Sequence, residues 1–187
     1  NNPGALMLTG RVALVSARVD VALSVFQGLC ASPGAPAECF VDLARTLVSL
    51  RREGEALDAL RRATELDPNA PKTFLFLGEL LMSHDLRDEA AAALRRVLEL
   101  DTLETGAYQV LPRAVALAAD SPETQRMLAL LDDPRIELLQ KAELHFGLSR
   151  VFKQCGDRER FITHMYAANA AQRDAAPGKR QYFERLF

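Results

Sequence analysis

Thiols and imidazoles are the side chains best suited to metal binding and to nucleophilic or acid–base catalysis, and this chain has three of each. They are scattered, and none stand at a spacing that is recognised for metal ligands. We therefore predict no metal site, no catalytic residue and no cofactor. Each histidine is interpreted as a solvated or core residue and each cysteine as a reduced thiol: His84, His145, His164; Cys30, Cys39, Cys155. A disulfide between Cys30 and Cys39, which flank a turn-rich stretch, stays an alternative.

The rest of the composition also argues against several function classes. The chain has no glycine-rich phosphate loop and no nucleophile elbow, so we predict that it is not an enzyme. Its 187 residues are 49% hydrophobic, which can supply a core, and its net charge of -2 does not favour nucleic acid or an anionic membrane as a partner. No apolar run is long enough to cross a bilayer, and we expect a cytoplasmic protein. Both ends read as cuts within a longer chain.

Arginine is the remaining residue type with binding chemistry, and it first stands out in two nearly identical segments. ALRRATELDP begins at Ala59 and ALRRVLELDT at Ala93, 34 residues later. The same period extends in both directions and predicts five tandem units, of which the fourth is degenerate. We place them at residues 3–36, 37–70, 71–104, 105–137 and 142–175, in a single domain spanning 1–187. Residues 176–187 are predicted to form a terminal helix or to lead into a following domain.

Each unit reads as a helical hairpin. Apolar residues recur three and four apart in two blocks, which in the second unit are Ala37 to Leu50 and Glu55 to Leu66. Residues 51–54 are the predicted turn, and Pro68 ends the second helix because proline cannot continue it. Small residues at the helix crossings allow close approach of the helix axes: Gly10, Ala44, Gly78 and Ser149 in first helices; Ala22, Ala56 and Ala90 in second helices.

These units resemble tetratricopeptide repeats, in both their period and their pattern of large and small residues. The second unit matches the pattern at Phe40, Leu43, Ala44, Leu47, Ala56, Leu60, Ala63 and Pro68. The resemblance implies an all-α fold, a right-handed superhelical array of antiparallel helix hairpins whose first helices line a concave groove. It implies a protein–protein interaction scaffold that binds a peptide or helix in that groove.

Carrying the groove positions of the family onto this sequence gives a candidate binding surface. The fifth position of each unit supplies Met7, Val41, Leu75, Gln109 and Phe146, and the ninth supplies Arg11, Arg45, Glu79, Arg113 and Arg150. Four of the five ninth positions are arginine, whose planar guanidinium suits carboxylates, so the partner segment could be acidic. The alternative is an exposed face on which arginine is solvated or pairs with neighbours such as Glu79. The doubled Arg61-Arg62 and Arg95-Arg96 are interpreted as solvated outer faces.

Two further hypotheses stay open. Residues 148–173 with the following Tyr182-Phe183 resemble the repeat that leads into the catalytic domain of bacterial TPR-sulfotransferases. That resemblance implies a docking or regulatory module of a larger enzyme. Homo-oligomerisation is the other hypothesis, because the uncapped ends of a repeat array expose apolar helices.

Overall fold

The structure is a computed structural model that describes residues 3–175, and the regular structure within them is helical. The helices are α1 (Pro3–Val15), α2 (Val19–Cys30), α3 (Ala37–Ser49), α4 (Glu53–Leu66), α5 (Pro71–Ser83), α6 (Arg87–Leu100), α7 (Thr105–Ala114), α8 (Pro122–Leu131), α9 (Leu138–Gln154) and α10 (Arg158–Asp174). The all-α class is confirmed, and the predicted hairpins are confirmed where their two helices pack on each other, in α1 with α2, α3 with α4 and α9 with α10. The prediction for residues 176–187 lies outside the described residues.

The chain divides into two compact units, residues 1–84 with α1 to α5 and residues 85–187 with α6 to α10. From here on, the first and second unit are these two parts of the chain, and the five tandem units of the sequence are called repeats. In the first unit each helix packs on the next along the chain, and α1 also contacts α3. The hairpin of α1 and α2 closes on a cluster of buried side chains around Phe26, to which Cys39 of α3 contributes. The single domain over 1–187 stays a prediction.

The turns inside the hairpins share one backbone conformation. Ala17, Arg51 and Asp85 each have a positive φ, near 60°, and they lie one repeat period apart. In the second hairpin the backbone N–H of Arg52 then donates to the carbonyl of Leu47 at 2.9 Å. This left-handed residue followed by a bond back across the last turn is a common way to end a helix. After this turn α4 begins at Glu53, two residues before its predicted first residue, Glu55.

In the second unit, α7 and α9 approach each other closely. Pro112 lies inside α7 and has no N–H, so the carbonyl of Tyr108 lacks its usual helical donor. Gly147 of α9 lies against this carbonyl, and a Cβ built on Gly147 would stand 2.5 Å from the Tyr108 oxygen. α9 therefore approaches α7 closely at Gly147, and the predicted small residue Ser149 is also buried.

Helix α9 begins earlier than the sequence pattern predicts. The predicted fifth repeat starts at residue 142, whereas the helix starts at Leu138. The reason is a capping box, in which the Glu137 side chain accepts from the backbone and the backbone N–H of Glu137 donates to Gln140 Oε1 at 2.9 Å. Satisfying these end groups stabilises one additional turn.

We expect Gly147→Ala to destabilise the second unit strongly, by about 3 kcal/mol or more, because the new Cβ collides with backbone rather than with a movable side chain. Chemical denaturation followed by circular dichroism measures the change. Gly28→Ala is the matched control, since a Cβ at that helical position meets nothing within 4 Å. It should be neutral or stabilising by up to about 1 kcal/mol. Equal effects of the two substitutions would contradict this account.

Candidate protein-interaction surfaces

The candidate groove residues lie on first helices, in i and i+4 pairs that share one helix face. The first unit carries three pairs: Met7 and Arg11 on α1, Val41 and Arg45 on α3, Leu75 and Glu79 on α5. The second unit carries two: Gln109 and Arg113 on α7, Phe146 and Arg150 on α9. The fifth-position side chains are all half-buried, and the ninth-position residues are all exposed. Each pair therefore places a half-buried apolar or amide side chain next to an exposed charged side chain.

Arg11 is held by the next repeat. Its Nε donates to Asp42 Oδ2 at 2.6 Å, and its Nη2 lies 3.6 Å from Glu38 Oε2. The hydrogen bond to Asp42, followed by the carboxylate charge, raises the pKa of Arg11. Asp42 is buried, and removing Arg11 would leave its carboxylate without a charged partner. Arg11 thus connects α1 to α3 through carboxylates, which distinguishes it from the other three ninth-position arginines, Arg45, Arg113 and Arg150.

Arg45 has a different environment. Its guanidinium lies over the ring of Phe76, 5.4 Å from the centroid, in a cation–π contact between α3 and α5. In the part of the chain that the structure describes, no carboxylate lies within salt-bridge distance of Arg45. A guanidinium that stacks on a ring keeps its in-plane N–H groups available for an acceptor.

The surface of the second unit rests on polar contacts between α7 and α9. Thr105 Oγ1 donates to Glu143 Oε2, and Gln154 Nε2 donates to the carbonyl of Pro112 at 2.8 Å. These contacts fix the two helices on which Arg113 and Arg150 stand. Both arginines are exposed, and among residues 3–175 neither has a carboxylate within salt-bridge distance.

The doubled arginines of the segments ALRRATELDP and ALRRVLELDT make ion pairs on exposed faces. Arg62 lies 2.7 Å from Glu65, and Arg96 lies 3.0 Å from Glu99, one turn along the same helix. Arg95 instead reaches Glu123 of α8 at 3.4 Å. Exposed pairs of this kind contribute little to stability and leave no concentrated positive patch. The structure therefore supports their interpretation as solvated faces.

Two of the histidines meet across the last hairpin, which the sequence analysis missed. His145 Nδ1 of α9 and His164 Nδ1 of α10 are 2.9 Å apart, so one ring donates and the other accepts. Phe152 stacks on His164 with ring centroids 5.3 Å apart, and the guanidinium of Arg160 lies over the Phe152 ring, 4.2 Å from its centroid. Burial, then His145, then Arg160 lowers the pKa of His164 to about 4. The pair is therefore neutral at neutral pH.

Cys30 and Cys39 are neighbouring free thiols in the first unit. Cys39 is buried, and its Sγ donates to the carbonyl of Phe26 at 3.6 Å. Burial is the largest cause that raises the pKa of both thiols, which keeps them protonated.

Within residues 3–175 no three His, Cys, Asp or Glu side chains assemble as a metal site. None of the helices described here is long and apolar enough to cross a membrane.

Comparison with known proteins agrees with this geometry. The sequence model of the tetratricopeptide repeat family matches residues 37–70, the repeat formed by α3 and α4. In sequence, the similarity to the tetratricopeptide repeat family is thus found in residues 37–70. A comparison with curated protein sequences found no significant match.

Solved structures extend the similarity to most of the chain. A MamA protein aligns with a TM-score of 0.68 at 18% identity, covering 94% of both chains. YrrB, a TPR protein with an unusual peptide-binding site, aligns with a TM-score of 0.57 at 19% identity over 86% of this chain and 73% of its own. The Arabidopsis OM64 TPR domain gives 0.55 at 21% identity, covering 60% of this chain and 93% of its own. At these identities the similarity establishes the fold, a tetratricopeptide-type helical solenoid.

We expect Arg11→Leu to destabilise the first unit by about 2 kcal/mol, because it leaves the buried Asp42 carboxylate without its partner. Arg62→Leu is the matched control, since it removes an exposed pair and should change stability by less than about 0.5 kcal/mol. Urea denaturation measures both. If the two variants lose the same stability, the Arg11–Asp42 pair does not have a structural role.

The histidine pair predicts a loss of stability as the pH falls. A folded-state pKa of about 4 for His164, below its ordinary 6.5, means that the folded state resists protonation more than the unfolded state does. The contribution is complete above pH 6.5 and declines as the pH is lowered toward 4. His164→Phe keeps an aromatic ring beside Phe152 and removes this titration, so its urea midpoint should fall less over that pH range. Parallel pH profiles for the two proteins would refute the assignment.

Proposed function

We propose that this chain is a non-catalytic scaffold that binds a peptide or helix of another protein along its first helices. The fold supports this, since first-helix faces of such solenoids are long, open and built from repeated positions. The partner segment combines aliphatic or aromatic side chains with carboxylates. We propose neither a cofactor nor a nucleic acid nor a membrane as its ligand.

The observation that carries the proposal is the Arg45–Phe76 contact. An exposed guanidinium held over a ring is already oriented, so a ligand carboxylate loses less conformational freedom in binding it. Val41 and Leu75 lie half-buried on the same two helices and offer apolar contacts beside the charge. Glu79 adds a negative group at the far end of this surface, which favours a segment whose acidic residues are few and localised.

The second unit repeats this chemistry on a separate surface. Arg113 and Arg150 are exposed donors, and Gln109 and Phe146 are the half-buried side chains one turn before them. Two part-buried hydrogen bonds made by side chains join α7 and α9, so this surface also needs little rearrangement to bind a ligand. Each unit can therefore be tested by its own substitution.

The sulfotransferase resemblance leads to a second candidate, a docking or regulatory module of a larger enzyme. None of the contacts or comparisons described above favours it over a free-standing scaffold. It stays a prediction, and the sequence of the gene beyond Phe187 tests it.

The experiment is selection of peptides from a random display library on the native chain, followed by fluorescence anisotropy with a selected peptide. We expect selected peptides to combine Asp or Glu with Leu, Ile or Phe. Arg45→Glu should weaken binding by about tenfold or more, because a donor becomes a like charge facing the ligand carboxylate. Arg113→Glu tests the surface of the second unit in the same way.

Arg62→Glu is the matched control, since it makes the same charge change on the outer face of α4. It should leave the affinity within about twofold of the native chain. Selected peptides that bind all three variants as tightly as the native chain would exclude the first-helix surfaces as the binding site. An absence of any selected peptide would count against the scaffold itself.

A further inference from the structure

Two cysteine thiols are in contact at the junction between the first and second repeats. Cys30 is the last residue of α2, and Cys39 is the third residue of α3. The two thiols are hydrogen-bonded to each other, and the Cys39 thiol also donates to the carbonyl of Phe26 at 3.6 Å. The turn of residues 31–38 therefore brings together two nucleophiles that the first-helix binding surfaces do not use.

Solvent reaches the two sulfur atoms unequally. Cys39 is 0% exposed and belongs to the cluster of buried side chains around Phe26. Cys30 packs against this cluster from outside and is half-buried. A small reagent in solution therefore meets Cys30 first, and Cys39 reacts through Cys30. An accessible attacking thiol beside a buried resolving thiol is the arrangement that thiol–disulfide exchange uses.

The surroundings of the two thiols favour a disulfide over a metal complex. Burial raises the pKa of both thiols, and the Asp42 carboxylate raises it further, so thiolates are disfavoured. A metal would need both thiolates, and among residues 3–175 no third His, Cys, Asp or Glu completes a site with them. A disulfide is uncharged and suits the apolar cluster. Thiols of high pKa are also poor leaving groups, so this disulfide would be reduced slowly once formed.

We propose that Cys30 and Cys39 are a redox modification site, which a small-molecule disulfide such as oxidised glutathione converts into a reversible intramolecular disulfide. Cys30 Sγ loses its proton to water and attacks one sulfur of the oxidant, whose S–S bond breaks and releases one glutathione thiolate. Cys39 Sγ then loses its proton, attacks Cys30 Sγ and displaces the second glutathione thiolate. Both thiolates take up protons, so two protein thiols lose two electrons and one small disulfide is reduced to two thiols.

The disulfide links the last turn of α2 to the first turn of α3. The first two repeats are otherwise held together by the cluster around Phe26 and by the Arg11–Asp42 pair, neither of which is covalent. Closing the loop of residues 31–38 lowers the conformational entropy of the unfolded chain, which stabilises the junction between these repeats. Reduced glutathione reverses the step, so the strength of the junction follows the redox state of the solution.

The test exposes the folded full chain to glutathione buffers that range from reduced to oxidised. Remaining thiols are then alkylated in denaturant, and the chain is cleaved after glutamate. Glu38 lies between the two cysteines, so cleavage there separates them into peptides that stay joined only through a disulfide. Mass spectrometry should find these two peptides joined in the oxidised chain, and the exposed Cys155 in no joined peptide.

The same buffers measure how strongly the fold favours the disulfide. Half-oxidation is expressed as the ratio of oxidised glutathione to the square of reduced glutathione. This ratio should be at least about tenfold higher for the chain unfolded in urea than for the folded chain, because only the fold holds the two thiols in contact.

Single substitutions test the separate roles of the two thiols. In Cys39→Ser, Cys30 should accumulate as a mixed disulfide with glutathione, whereas in Cys30→Ser the buried Cys39 should stay a free thiol. Cys155→Ser is the matched control and should give the same joined peptides at the same glutathione ratio. Circular dichroism checks that each variant is folded. A native chain whose two peptides are never joined, equal half-oxidation ratios for the folded and unfolded chain, or a Cys39 that reacts with glutathione as readily as Cys30 would each overturn the proposal.

Discussion

A single helical hairpin of this chain cannot bury its own apolar side chains, and every other feature depends on that constraint. Each hairpin must stack on the next, so the residues between hairpins are small, apolar or paired. The hairpin of α1 and α2 is completed by Cys39, which comes from α3. Arg11 and Asp42 connect the same two repeats through charge, and Asp42 is stable in its buried position only because Arg11 reaches it.

The same constraint divides the arginines into two kinds. Arginines that stand between packed helices are paired and contribute to the fold, as Arg11 does. Exposed arginines of first helices that have no carboxylate partner among the described residues, such as Arg45 over the Phe76 ring, remain able to bind an acceptor. Residue type and repeat position do not distinguish the two kinds, because Arg11 and Arg45 occupy the same position in successive repeats. The distinction is made by what lies opposite: Asp42 faces Arg11, and Phe76 faces Arg45.

Stacking of regular repeats also explains how much of the fold and of the candidate site could be predicted from the sequence. The period of 34 residues determines the register, and the register gave the hairpins, their turns and the faces of their helices, since these depend on local spacing. The period does not predict which side chains of different helices contact each other. His145 and His164 are separated by a turn and a helix, and their meeting depends on how α10 crosses α9. The early start of α9 could have been found, because Glu137 and Gln140 are spaced as a capping box.

Pro112 and Gly147 are far apart in the chain, yet their identities are coupled. Proline deprives the Tyr108 carbonyl of its helical donor, and the glycine lets α9 lie against that carbonyl and shield it from water. A larger residue at position 147 would push α9 away from the Tyr108 carbonyl and open that carbonyl to water. The effects of substitutions at positions 112 and 147 on stability are therefore not additive, because both act on the surroundings of the same carbonyl oxygen.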